Sequence, residues 1–415
     1  MKILFFTHYF PPEVNAPATR TYQHCKRWVQ EGHDVTVVTC APNCPDGVVY
    51  EGYRNRFRKQ TESVDGIKVV RVWTYVAANS GTLPRIANYV SYFFSAVLAS
   101  LTLSRPDVIV ATSPQFFCGW AGVWASRLKR APLILEIRDI WPESIAAVGA
   151  MKKGLLTKYL EWLEKRMYRA ADRIVAVGTG YRDNIIAKVP KTADIISVVT
   201  NGVDADRFQP LDPDPTFKAS YGLTDQFICS YVGTIGMAHG LEVVIEAAIQ
   251  LKAQGRQDIA FLLVGDGAKR EELTRMATEN GVNDLVKFTG RLPKERMPTV
   301  IASSDCSLVH LRGTELFGTV IPSKIFELMA MERPIIMGVR GPAQDIVLEA
   351  GGGQPMTPDD PEDLVRIVTQ MADSKSETSA SGKAARAHVL QHYNRDHLAG
   401  QMLETICSVA GPDAS

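Results

Sequence analysis

Twice along this chain, short unbroken runs of Val, Ile and Leu alternate with stretches of helical periodicity, and this pattern narrows the fold furthest. A strand covered by helices on both faces buries both its sides, so it reads as a continuous apolar run and not as in/out alternation. Such runs stand at KILFFTHYF, at 33–39 (HDVTVVT), 67–73 (IKVVRVW), 106–112 (PDVIVAT), 131–139 (APLILEIRD), 172–179 (DRIVAVGT) and 197–203 (SVVTNGV). Helical stretches lie between them near 17–31, 85–103, 114–129, 153–169 and 180–188. This predicts a doubly wound, mainly parallel α/β domain over 1–203. After a linker at 204–216, the plan repeats over 217–394, with strands at QFICSYVGT, 259–267, 286–290, 304–311 and 333–339. Residues 395–415 carry one more helix, which either stays with the second domain or crosses back to brace the first. The expected fold is α/β: two facing Rossmann-like domains with parallel sheets. Ligands of such sheets bind beyond the carboxyl ends of the strands, which places the expected site in a central cleft with the linker as hinge.

Three whole-chain features exclude other classes. The seven cysteines are scattered and contain no Cys-x-x-Cys pair, which argues for reduced thiols in a cytoplasm and against a zinc site or disulfide frame. Met1-Lys2 leads straight into ILFF and then a proline-broken loop, so no signal peptide is evident. The apolar run at 86–103 is interrupted by Asn88, Ser91, Ser95, Ser100 and Thr102 and bracketed by Arg85 and Arg105, and reads as a buried or surface-facing helix. Charge is split: 26 basic against 16 acidic residues over 1–200, and 20 against 29 over 201–415. The front half is therefore suited to an anionic surface or substrate.

The stretch 318–334, GTVIPSKIFELMAMERP, has the strongest chemical content. Pro322 reads as the first residue of a helix, and Ile325, Leu328 and Met329 fall at the spacing of a buried stripe. Ser323, Lys324 and Glu327 are then the exposed groups. A helix start with a lysine beside it suits a phosphate, and a carboxylate that only accepts hydrogen bonds suits sugar hydroxyls; together they indicate a nucleotide.

Other stretches converge on that reading. In YVGTIGMAHGLEVVIEAA (231–248), Gly233, Gly236 and Gly240 bracket a turn from strand to helix, and Leu241, Val244, Ile245 and Ala248 form the buried stripe. This is a phosphate cradle by composition, without the spacing of a dinucleotide fingerprint or the lysine-serine pair of a P-loop. Thr289, Gly290 and Arg291 leave a strand end where backbone groups suit a base edge, and Arg291 or Arg312 suits phosphate. In EIRDIWPES, Glu136, Arg138 and Asp139 close a strand and are expected to project towards the cleft.

VVTNGVDADRFQP (198–210), FLLVGDGAKREEL (261–273), VKFTGRLPKERM (286–297) and PSKIFELMAMERPII (322–336), in this order, resemble the retaining nucleotide-sugar glycosyltransferases of family 4, with the two-Rossmann GT-B fold. The PSK-x-FE form is most similar to bacterial N-acetylfucosamine (fucosamine) transferases of surface-polysaccharide synthesis. The resemblance implies that Glu327 is the second, ribose-binding glutamate of the family's Glu-x7-Glu motif, which puts Thr319 at the position of the first, near the donor sugar. Where the family has an arginine and a lysine in the glycine loop, this chain has Thr234 and His239; its histidine near the donor corresponds to Arg138. No glycine occurs before Gly32, and FPPEVNAPATR, with Asn15 and Arg20, stands where paired glycines are usual.

The resemblance implies transfer of a sugar, expected to be an N-acetylated deoxy-hexose such as N-acetylfucosamine, from a UDP-sugar to a polyprenyl-pyrophosphate-linked saccharide in O-antigen, capsule or exopolysaccharide synthesis. Lys324, Arg138 and Asp139 are the expected catalytic groups. Gly233, Thr234, Gly236, His239, Gly290, Arg291, Ser323 and Glu327 are expected on the nucleotide. Asn15, Arg20, Glu136, Arg312 and Thr319 are expected on the acceptor or donor-sugar side. No carboxylate cluster of the kind Mg²⁺ sites use stands at a strand end, so no metal or other cofactor is expected. Tyr53, Arg54, Arg56, Phe57, Arg58 and Lys59, and Lys152, Lys153, Lys165, Arg166 and Arg169 around a helix with Leu156, Leu160 and Leu163, suit an anionic inner-membrane surface. These clusters lack the stacking sheet of an RNA-binding motif, so no nucleic-acid partner is expected. A UDP-sugar 2-epimerase and a substituted GT-B relative that binds nucleotide or partner without turnover are the alternatives.

Overall fold

The computed structural model describes residues 1–44, 46–77, 82–113, 116–141, 154–314 and 317–410. The chain forms two units, Met1–Asn201 with Arg395–Ser415, and Gly202–Asn394.

The first unit is built on eight strands: β1 Lys2–Phe6, β2 Asp34–Cys40, β3 Gln60–Val64, β4 Ile67–Val72, β5 Val108–Thr112, β6 Leu133–Ile137, β7 Arg173–Ala176 and β8 Ile196–Val198. Their order is β3-β4-β2-β1-β5-β6-β7-β8, parallel throughout except for the antiparallel β3–β4 edge. Successive residues of one strand feed two different cores. Leu4 and Phe6 pack under the helices Thr82–Leu101 and Phe116–Lys129. Ile3 and Phe5 pack against Trp28 of the helix Ala16–Gln30 and against Leu398, Met402 and Ile406 of the last helix, Arg395–Cys407. Trp28 Nε1 donates to the Ala399 carbonyl at 3.0 Å, so the end of the chain is tied to the first unit. Two-sided burial is what the unbroken apolar runs require.

The second unit has six parallel strands, β9 Phe227–Val232, β10 Ile259–Val264, β11 Val286–Gly290, β12 Cys306–His310, β13 Ile335–Gly338 and β14 Gly353–Pro355, in the order β11-β10-β9-β12-β13-β14. Its order reverses between β9 and β12, and the carboxyl ends at such a switch point open a crevice for ligand.

Two strands escape sequence reasoning. β3, QTESV, is a polar edge strand half-open to solvent along its length, and β14 is three residues long. Neither has a side-chain pattern that separates it from a loop.

Candidate functional site

The second unit gathers its chemistry beyond the ends of β9, β10 and β11. Gly233 follows β9 with φ +149°, and its carbonyl lies so close to Gly265 that a Cβ there would be 1.8 Å away. Gly267, at φ +157°, would set a Cβ 2.4 Å from the Ile235 carbonyl. Two backbones touch here, which only glycine permits. The turn is pinned by Gly233 N–H to the Val264 carbonyl (2.9 Å), Ile235 N–H to Asp266 (3.0 Å) and Gly265 N–H to Gly290 (3.0 Å). Gly290 itself closes β11 at φ +70°, and Arg291 beyond it is exposed. The Gly-Asp-Gly after an all-apolar strand was the available signal for Gly265 and Gly267, which site reasoning missed.

Lys324 opens into this turn. Ile325, Phe326, Leu328 and Met329 bury one side of the helix Lys324–Ala330 and leave Lys324 and Glu327 half-buried on its other side. The helix begins two residues later than its sequence suggests, because Ile325 N–H donates to the Pro322 carbonyl at 3.1 Å and tightens the first turn. Ser323 precedes it without a side-chain capping bond. The Lys324 ammonium stands 4.1 Å from the Tyr231 ring centroid, and a Cβ on Gly233 would come within 2.6 Å of it. Among the described residues it forms no ion pair and no hydrogen bond. Burial pushes its pKa down to about 8, with the Glu327 charge opposing. An ammonium in no ion pair among the described residues, beside a glycine turn, gains most from an arriving anion. Gly233→Ala is therefore expected to displace Lys324 and destabilise the unit by about 1–3 kcal/mol; calorimetric titration with a nucleotide should show the binding weakened along with it.

Glu327 lies near Lys294, whose pKa burial lowers against the pull of that carboxylate. Lys294 was not anticipated. The Phe317–Thr319 turn precedes this helix, and the Thr319 side chain lies outside the described residues.

The turn 236–240 is braced rather than open. Met237–His239 forms one 3-10 turn, and Gly240 sits at φ +54° where a Cβ would meet Asp359 Oδ1 at 2.6 Å. Arg312 corrects the expectation for it: Nε donates to the Met237 carbonyl at 2.8 Å and Nη2 to Glu242 at 3.0 Å, so its fork holds the turn and its charge is matched. Glu242 also occupies the first turn of the helix Glu242–Ala253 and lies 3.4 Å from Lys269, so the positive end of that helix already has its anion. His310, buried at the end of β12, holds the loop from behind. Its Nδ1 lies 2.7 Å from the His239 carbonyl, and its Nε2 accepts from Asp359 N–H at 2.9 Å, which fixes a neutral ring with the proton on Nδ1. A lone His closing the run SLVH was its only sequence signal. The His239 ring is neutral as well, its pKa pushed down to about 4 by burial and by Lys324. Thr234 is exposed, its carbonyl accepting the Tyr231 hydroxyl at 2.8 Å, and Gly236 is half-buried beneath the His239 ring.

In the first unit, three expected ligand residues have structural partners. Glu136 lies within β6, buried, and pairs with Arg20 at 2.8 Å; Arg20 also donates to the Val199 carbonyl at 2.9 Å and to that of Thr200. Asn15 caps the helix Ala16–Gln30 by accepting Ala18 N–H at 2.9 Å. These side chains tie strands to a helix. Burial alone would raise the Glu136 pKa, but Arg20, Arg138 and His24 outweigh it and hold the carboxyl at about 2. Arg138, beyond the strand end, is half-buried and forms no ion pair among the described residues; its N–H donates to Ser113 Oγ at 3.1 Å. Burial pushes its pKa down to about 10, against the field of Glu136. Asp139 is half-buried close to Tyr181, whose pKa is raised first by burial and then by that carboxylate. Glu13, unanticipated, fills the loop that lacks glycines: it is buried and accepts N–H groups from Phe10, Asn43 and Cys44.

Of the basic clusters, Arg54, Arg56, Phe57 and Arg58 are exposed, with Phe57 stacked on Trp73 at 4.5 Å. Lys152 and Lys153 and the Leu156 side chain lie outside the described residues, while Leu160 and Leu163 pack on the core.

Residues 15–202 match the glycosyl transferase 4-like domain, and residues 214–388 match the glycosyl transferases group 1 family. The putative colanic acid biosynthesis glycosyl transferase WcaI of Escherichia coli is 27% identical over 80% of this chain and 81% of its own length. The probable glycosyltransferase WbjE of Pseudomonas aeruginosa is 26% identical over 73% of this chain and 75% of its own. Among solved structures, Anabaena HepE in complex with UDP and glucose aligns with a TM-score of 0.70 at 20% identity, covering 98% of this chain and all of that one. Sucrose-phosphate synthase of Thermosynechococcus elongatus aligns at 0.72 and 16%, covering 98% of each. Those likenesses establish the fold. With two glycosyltransferase domains matched in series on two Rossmann-like units, the chain belongs to the family 4-like glycosyltransferases of the GT-B fold.

Proposed function

We propose that this protein transfers a sugar with retention from a UDP-sugar to a polyprenyl-pyrophosphate-linked saccharide in surface-polysaccharide synthesis, with an N-acetylated deoxy-hexose such as N-acetylfucosamine as the donor sugar. The observation that carries the reading is the Lys324 ammonium, in no ion pair among the described residues and set against the Gly233 turn. A departing nucleoside diphosphate develops negative charge, and a fixed donor aimed at that charge lowers the barrier without reorganising. Glu327 suits the ribose hydroxyls, because a carboxylate accepts from both at once. The backbone at Gly290 and the adjoining Arg291 suit the base and phosphate edge. In a retaining transfer the leaving phosphate oxygen accepts the acceptor's proton, so the chain need supply no base. Arg138 is the first unit's candidate for the donor sugar or its phosphate, with Asp139 beside it. HepE, crystallised with UDP and with UDP-glucose, supports a uridine nucleotide as the donor's handle. The WcaI and WbjE relatives support a polysaccharide product.

The reading includes donor binding without metal, at the inner membrane's cytoplasmic side. It is tested by melting the protein in EDTA with UDP, UDP-sugars, ADP and GDP in parallel. Ligand at a hundred times its dissociation constant adds about 2.7 kcal/mol to apparent stability. UDP and a UDP-sugar should raise the melting temperature while GDP leaves it unchanged; equal shifts for all three nucleotides, or none, would remove the uridine assignment. Sugar isomer released from a bound UDP-sugar without acceptor would instead favour an epimerase.

A further inference from the structure

Three neighbouring helices on one side of the first sheet carry large apolar side chains outward, where a soluble surface normally has polar ones. Phe94, Leu98 and Leu101 of Thr82–Leu101 are 59%, 64% and 52% exposed, and Trp124 and Leu128 of Phe116–Lys129 are 45% and 48% exposed. The two helices pack along each other, and Phe116–Lys129 in turn touches Leu155–Arg169, whose Tyr159 and Trp162 are stacked and open to solvent. The patch is continuous with the core beneath it through Phe93, Val97 and Trp120. No charged residue lies between Arg85 and Arg105.

The border of this patch is predominantly basic, although Asp107 is exposed and Glu161 of the third helix is half-buried. Arg105, Arg127 and Arg130 are exposed around it, and Lys129 lies at its edge, donating to the Leu103 carbonyl at 2.6 Å. Arg166 covers the Trp162 ring at 4.3 Å. The single acidic residue between 85 and 130 is Asp107, whose carboxylate accepts Lys2 N–H at 2.6 Å. Among the described residues, no helix is long and apolar enough to cross a membrane.

We propose that this three-helix face docks on an anionic phospholipid bilayer, with Phe94, Leu98 and Leu101 entering the headgroup boundary and the arginines holding lipid phosphates. Aliphatic and aromatic tips rimmed by cations match an interface that is apolar below and anionic above. A second copy of the same face would bring like charges together, which disfavours self-docking. The basic cluster at 53–59 adjoins this surface, Lys59 Nζ donating to Thr102 Oγ1 at 2.5 Å next to Leu101. The surface lies wholly in the first unit and does not depend on what Lys324 binds.

The full-length protein is to be sedimented with phosphatidylcholine vesicles with and without phosphatidylglycerol. We expect binding only to the anionic vesicles, falling with salt. The combined change Phe94→Ser, Leu98→Ser, Leu101→Ser should lower partitioning about tenfold or more, with circular dichroism unchanged. Should that variant misfold, Arg105→Glu with Arg127→Glu, at exposed positions, should lower it comparably and flatten the salt dependence. Absence of wild-type binding to anionic vesicles, or equal binding by both variants, would overturn the proposal. So would a dimer in sedimentation velocity that the Phe94 variant dissolves, because the face would then be covered by another copy.

Discussion

Lys324→Ala is expected to lower sugar transfer by on the order of a hundred- to a thousandfold, the usual cost of losing one preorganised donor to a developing anion. Every other cation named near this turn is already matched or exposed: Arg312 is held by Glu242, Lys269 lies between Glu242 and Glu272, and Arg291 is in solvent. Lys324→Met, which keeps the stem against Tyr231, should lose as much and thereby separate charge from packing. The pH dependence has a definite sign. With a pKa of about 8, the ammonium is lost as pH rises through 8, and nucleotide affinity should fall up to tenfold per unit above it. The contribution to stability runs the other way. The folded pKa lies below the ordinary 10.5, so between pH 8 and 10.5 the unfolded chain holds more protons and the ligand-free fold gains stability as pH rises. Calorimetric titration and melting across that window check both; parallel trends would exclude Lys324 as the titrating group.

The second large effect is expected at the Arg20–Glu136 pair. Removing one member of a buried pair leaves the other's charge unmatched, so Arg20→Ala or Glu136→Ala should each destabilise the first unit by about 3–5 kcal/mol. Replacing both, Arg20→Met with Glu136→Leu, should recover most of that loss, because two apolar side chains remove the need for pairing. All six tryptophans lie in the first unit, so their fluorescence in a urea titration follows its unfolding separately from the second. The folded Glu136 pKa is depressed, to about 2 from 4.5. Its contribution is therefore fully present above pH 4.5 and is lost as pH falls towards 2. A Glu136→Gln protein should accordingly approach the wild type in stability as acid is added. A constant difference down to pH 2 would show that the pair is not held as described.

These two sites also show how far sequence reasoning reaches. The placement of Lys324, Glu327 and Gly233 was legible because its signals are local: the buried stripe of one short helix decides which residues it leaves off the core, and a glycine turn after a strand marks close backbone approach. The partners of Arg20, Glu136 and Arg312 were not legible, for the opposite reason. Arg20 meets its carboxylate 116 positions later in the chain and Arg312 meets Glu242 70 positions earlier, and neither periodicity nor spacing carries such separations. An unmatched cation and a matched one look identical in a sequence. The sheets were readable wherever both faces are buried, as in β5 and β10, and invisible in β3, where one edge and alternate side chains meet water.

The last helix gives the first unit an order of assembly. Leu398, Met402 and Ile406 reach the sheet only after all of the second unit has been synthesised, so a nascent chain leaves Phe5, Trp28 and Val35 uncovered on the ribosome until its final turns emerge. A premature stop before residue 395 would thus act as a lesion of the first unit, although every one of its strands lies upstream.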